Sequence, residues 1–194
     1  MTLYRLMSIS LLLWPLAGLT HNFIIGERVT PIVIRDRGEL LLNDNRLRYQ
    51  PWRSSELAGK VRVVLYIAGR TSAKKKNSLL MSAIKNANFP ADRFQPTTLI
   101  NTDDEILGTG FFVRKKIEKN KKRYPWAQFI IDRHGIGRKS WQLEEESSTI
   151  LVLDNAGRIQ WAKEGALTPD DVSQVLNNVL NLLGEKPGNA DAPK

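Results

Sequence analysis

The stretch VRVVLYIAGRTSAKKKN, Val61–Asn77, decides the fold. Val61–Ala68 is a near-continuous β-branched and aromatic run, the pattern of a strand covered on both faces. Gly69-Arg70-Thr71-Ser72 ends it, and Thr71 or Ser72 can cap a following helix by accepting from its free backbone N–H groups. From Ala73 the apolar positions Leu79, Leu80, Ala83, Ile84 and Ala87 recur at helical spacing and predict an inward face. Asn88-Phe89-Pro90 stops that helix.

Downstream, Thr97–Asn101 predicts a second strand, followed by the acidic Asp103-Asp104-Glu105. Gly108 and Gly110 break the chain. Phe111–Arg123 then predicts a helix with Phe112, Val113 and Ile117 inward and lysines outward. Gln128–Asp132 is a third strand, turned by His134-Gly135. Thr149–Asp154 and Ile159–Ala162 read as a hairpin about Asn155–Arg158. Thr168, Pro169, Asp170 and Asp171 open a last helix with the signature of a capped N-terminus. Val172, Val175, Leu176, Val179, Leu180 and Leu183 form its apolar stripe. Upstream, Phe23–Pro31 is an extended lead-in. Ile32–Arg35 and Glu39–Leu42 read as two short strands about Asp36-Arg37-Gly38, and Asn43–Gly59 as mostly loop. Strand–helix–strand–helix–strand, then hairpin, then helix, predicts an α/β fold with a mixed sheet sandwiched between helices and a β-hairpin extension at the N-terminus.

The 194 residues include 29 Lys+Arg against 20 Asp+Glu, a net charge of +9, and no cysteine. No stretch supplies the roughly 20 unbroken apolar residues of a membrane-spanning helix. Arg5, the apolar run Leu6–Leu16 and the small residues Ala17-Gly18 have the secretory pattern, with cleavage expected after Thr20. Residues 1–20 are therefore read as a signal peptide, 21–184 as a single domain and 185–194 as a disordered tail.

The element order resembles the thioredoxin-like fold in its peroxiredoxin-like variant. The segments IAGRTSAKKKN, INTDD, YPWAQFIID, ESSTILVLD and GRIQWAKEGALT, in that order, are similar to the YtfJ family of exported bacterial proteins. The resemblance implies a thioredoxin-like domain in the periplasm of Gram-negative bacteria with no assigned activity. It also frames the test of chemistry. A thioredoxin-like oxidoreductase carries C-x-x-C where this chain has Gly69-Arg70-Thr71-Ser72, and commonly a cis-proline where this chain has Ser147-Ser148-Thr149. With no cysteine anywhere, thiol redox catalysis is excluded.

A binding site could persist at the same place. Arg70, Thr71, Ser72, Lys74 and Ser148 surround a helix start and form the candidate ligand-binding set for an anion. The basic run Arg114, Lys115, Lys116, Lys119, Lys121, Lys122 and Arg123 is the candidate polyanion-binding set. Outside the cytosol its partners would be an acidic protein, an anionic ligand or an anionic lipid surface. Nucleic acid is the expected partner only if the chain is not exported. Asp103-Asp104-Glu105 lacks the oxygens of a hard-cation site, so no metal and no cofactor is expected. No catalytic residue is assigned. An enzyme would require a carboxylate-based site around Asp103, Asp104 or Glu146. His21 would become the N-terminal residue and offers a copper-chelating pair too thin to define a site.

Overall fold

Seven strands form one sheet: β1 (Val33–Asn43), β2 (Arg46–Arg53), β3 (Arg62–Ala68), β4 (Thr97–Asn101), β5 (Gln128–Asp132), β6 (Ser148–Leu153) and β7 (Ile159–Glu164). Among the described residues four α-helices accompany them: α1 (Ser78–Ala87), α2 (Gly110–Arg123), α3 (Ile136–Trp141) and α4 (Pro169–Leu183). The computed structural model describes residues 21–69, 77–104, 108 and 110–184. The readings for residues 1–20 and 185–194, and for Arg70, Thr71, Ser72 and Lys74, lie outside the described residues.

The strand order is β2-β1-β5-β4-β3-β6-β7. β3, β4 and β5 are parallel, and β1, β2, β6 and β7 extend the sheet antiparallel on either side. The period-2 alternation of β3 explains its unbroken apolar run. Val64 and Tyr66 join Leu99, Ile130, Leu151 and Trp141 in one core; Val63 and Leu65 join Leu80, Ile84, Val175 and Val179 in the other. On that second face, Ile100, Phe129 and Ile131 meet Ile117 of α2. The lead-in is held to the first face: Asn22 N–H donates to Trp141 O (3.2 Å), and Phe23 packs on the Trp141 ring.

Several local readings are corrected. The N-terminal hairpin exists, but its reversal is at Asp44-Asn45, both in the left-handed region (φ 45° and 65°) suited to a two-residue hairpin turn. Asp36-Arg37-Gly38 is a bulge inside one long strand. Arg37 and Gly38 adopt φ 66° and 70°, which kinks β1 without reversing it. A Cβ on Gly38 would stand 2.2 Å from Gln50 O, so only glycine fits beneath β2. The segment read as loop contains β2, whose Pro51 is tolerated because β2 is the sheet edge. His134-Gly135 is more than a turn, because it leads directly into the short helix α3.

Two helix faces also differ from expectation. In α1, Leu80 and Ile84 are buried at i, i+4, which leaves Leu79 60% exposed and Ala87 outward. In α2 the inward row is Val113, Ile117 and Lys121, each four residues on, so Phe112 is 70% exposed. Lys121 lies only 6% exposed, and its Nζ donates to Pro125 O (3.0 Å) and Ala127 O (2.8 Å).

The start of α4 matches its reading. Thr168 Oγ1 accepts from the Asp171 N–H, and Thr168 N–H donates back to Asp171 Oδ2 (2.7 Å). Lys163 Nζ also donates to Asp171 Oδ2 (2.6 Å). The Lys163 and Thr168 hydrogen bonds hold the Asp171 carboxyl at about 2, against an ordinary 3.8. A depressed acid stabilises the fold above its ordinary value and loses that contribution as pH falls from about 3.8 to about 2. Carboxyl NMR should therefore give Asp171 a midpoint near 2, and Lys163→Met should raise it. An unmoved midpoint would refute the assignment to Lys163.

Candidate functional site

The C-terminal edge of the parallel strands is where open α/β sheets gather functional groups. Here β3 ends beside Gly69, β4 at Asn101 and β5 at Asp132. Their ends are tied together: Gly69 N–H donates to Asn101 O (2.8 Å) and Thr102 N–H to Asp132 O (3.0 Å).

Asp132 is fully buried. Its Oδ2 accepts from Tyr66 Oη (2.8 Å) and Gly137 N–H (2.7 Å), and its Oδ1 from Ile136 N–H (2.9 Å). The Tyr66 hydroxyl in turn accepts from Arg138 N–H (2.9 Å). Burial, and then the Asp132 charge, push the Tyr66 phenol well above its ordinary value. Gly137 permits the close fit, since a Cβ there would meet Tyr66 Cε2 at 2.6 Å. This pair anchors α3 to the sheet edge and presents no group to solvent.

Ser148 is likewise occupied. Its Oγ accepts from Asn77 Nδ2 (2.7 Å) and lies 3.3 Å from Gly165 O as donor, while the residue is 1% exposed. It joins the start of α1 to β6 and β7, so it leaves the candidate ligand-binding set.

The basic run divides three ways. Lys121 points into the protein and also leaves the candidate set. Lys115, Lys116, Lys119, Lys122 and Arg123 line the solvent side of α2, with Lys115 Nζ 4.5 Å from the Phe111 ring centre. Arg114, half-buried, turns to a depression of about 370 Å³ at the sheet edge. Arg37, Thr102, Asp103, Ile131, Arg133 and His134 line the rest of it.

The β1 bulge supplies Arg37, which pairs in register opposite Asp132 and so stands next to Arg133. The Arg37 guanidinium lies 5.0 Å from the Tyr49 ring centre, which orients it. Asp36 Oδ2 is shared by Arg133 (3.4 Å) and His134 (3.1 Å), and Asp103 Oδ2 faces Lys139 Nζ (3.3 Å). Arg37 and Arg114 pair with no carboxylate among the described residues. Asp104 Oδ2 accepts from Glu146 N–H, which ties down the acidic turn after β4. Sequence reasoning missed Arg37 and Arg133 because they lie alone in the chain, outside any basic run.

The family model described as "Bacterial protein of unknown function (YtfJ_HI0045)" matches residues 23–182. The uncharacterized protein YtfJ of Escherichia coli is 54% identical over 94% of this chain and 100% of that protein. An uncharacterized protein of Haemophilus influenzae is 38% identical over 84% of this chain and 88% of its own. Among solved structures, a candidate thiol:disulfide interchange protein DsbE of Chlorobium tepidum overlays with a TM-score of 0.55 at 15% identity, over 84% of this chain and 99% of that one. A candidate protein disulfide isomerase of Bacteroides thetaiotaomicron overlays with the same TM-score at 17% identity, over 84% and 92%. These likenesses establish a thioredoxin-like fold and nothing of the reaction. With a matched sequence model over most of its length and a relative sharing more than half its residues, the chain belongs to the bacterial YtfJ family of unknown function.

Proposed function

We propose that the protein is exported to the periplasm and acts there by binding an anionic partner, without thiol chemistry. The observation that carries this reading is the complete lack of cysteine in a chain with a thioredoxin-like fold. The nucleophile and redox agent of disulfide exchange is a thiolate, and no other side chain replaces it. The leader pattern of Met1–Thr20 supports export. The excess of basic residues supports an anionic partner.

Cell fractionation with intact-mass measurement tests the reading. The expected product begins at His21 and lies in the periplasmic fraction, and the purified protein fails to reduce or oxidise a dithiol substrate. A full-length cytosolic chain, or genuine dithiol turnover, would overturn it.

A further inference from the structure

We propose that the depression at the edge of β4 and β5 is a binding site for a small, multiply charged oxyanion carrying phosphate or carboxylate groups. The inference gives a ligand class to the binding role proposed above and rests on it. Three arginines, Arg37, Arg114 and Arg133, line one cavity and come from three separate stretches of the chain. Arginine presents a planar fork of donors that matches two oxygens of a phosphate or carboxylate, and it keeps its charge at every physiological pH. A cavity of about 370 Å³ is of a size that suits a small molecule.

The charge balance of the cavity supports the same conclusion. Arg133 and His134 already share Asp36, and Asp103 is engaged by Lys139. Arg37 and Arg114 remain without a carboxylate among the described residues, and like charges held together repel until an anion joins them. Arg37 is moreover held in a left-handed conformation that a side chain adopts at a cost, with Gly38 behind it completing the bulge. A bulge re-aims side chains at a sheet edge, and this one leaves Arg37 on the cavity wall. Thr102 adds a neutral hydroxyl to the rim.

Isothermal titration at fixed ionic strength, with pyrophosphate in one arm and citrate in the other, tests the site on the mature chain. Saturable one-to-one binding is expected in at least one arm, and which arm responds names the oxyanion. Arg114→Gln should weaken binding at least about tenfold, the loss of one charge-assisted contact. Arg133→Gln, largely solvent-exposed, gives a second variant should Arg114→Gln fold poorly. Lys122→Gln, exposed on the same helix but outside the cavity, should bind as the parent does. No saturable binding in either arm, equal loss in Lys122→Gln, or binding only to phosphatidylglycerol vesicles would overturn the site. The fractionation result is independent of all three, so failure here and failure of the export reading are separable.

Discussion

Replacing Asp132 with alanine is expected to destabilise the protein by about 4 kcal/mol, from the unpairing of several buried donors at once. Tyr66 Oη, Ile136 N–H and Gly137 N–H all give their protons to this one carboxylate. Each buried donor left unsatisfied costs roughly 1–3 kcal/mol, more when the lost acceptor was charged. A six-residue helix cannot survive on backbone propensity, so α3 depends on these bonds and on Trp141. Trp141 is fully buried, donates Nε1–H to Thr30 O (2.8 Å) and meets Tyr66 edge to face at 5.8 Å. Loss of α3 would therefore also release the lead-in. Urea denaturation should show a lower midpoint, and a Tyr66→Phe cycle should show strong coupling between the two sites. A change below about 1 kcal/mol would mean that water replaces the carboxylate. Because the Tyr66 phenol is raised on folding, its contribution is complete below the ordinary tyrosine value of 10.0 and declines as pH rises beyond it.

Arg62→Ala is expected to be comparably severe, about 3–5 kcal/mol, and to lower Tm by roughly 10 °C in a domain of this size. Arg62 sits at the opposite end of the parallel strands, 5% exposed. Its Nε donates to Leu57 O (2.8 Å) and its Nη2 to Glu56 O (3.0 Å). Its Nη1 reaches Gln95 Oε1 (2.7 Å), Thr97 Oγ1 (2.8 Å) and Gln128 Oε1 (2.9 Å). Every one of these acceptors is neutral. Burial lowers the guanidinium pKa, with Glu39 and Glu56 opposing the shift from farther off. The side chain therefore cross-links β3, β4, β5 and the turn Ser54–Leu57 through donors alone. Alanine would leave a cavity and a ring of buried acceptors. Arg62→Met keeps the volume and loses only the bonds, so it should fall between alanine and the parent. Differential scanning calorimetry of the two variants decides the matter, and a Met variant as unstable as the Ala variant would show that packing plays no part.

Much of the fold was legible because local pattern and tertiary role coincide. Val61–Ala68 reads as a doubly covered strand and is one, and Thr168-Pro169-Asp170-Asp171 opens a helix as its chemistry requires. The hairpin β6–β7 follows from its turn residues: Asp154 Oδ1 accepts from the N–H groups of Ala156 and Arg158. β2 was not legible, because an edge strand with one buried face mixes arginines, Pro51 and a single deep anchor, Trp52. The inward face of α2 was misread because a lysine completes it. An amine can follow an apolar row and find carbonyls at its end, which apolar periodicity does not register.

From the sequence alone came the alternating strand and helix periods, the caps, the basic charge and the lack of any thiol. Each is a property of residues near one another in the chain or of composition. The tertiary structure decided which polar groups meet. Tyr66 and Asp132 are 66 residues apart, and Arg37, Arg114 and Arg133 come from β1, α2 and the turn after β5. Such meetings depend on strand order and on one bulge. No local pattern encodes them, because a charge carries no period that marks its distant partner.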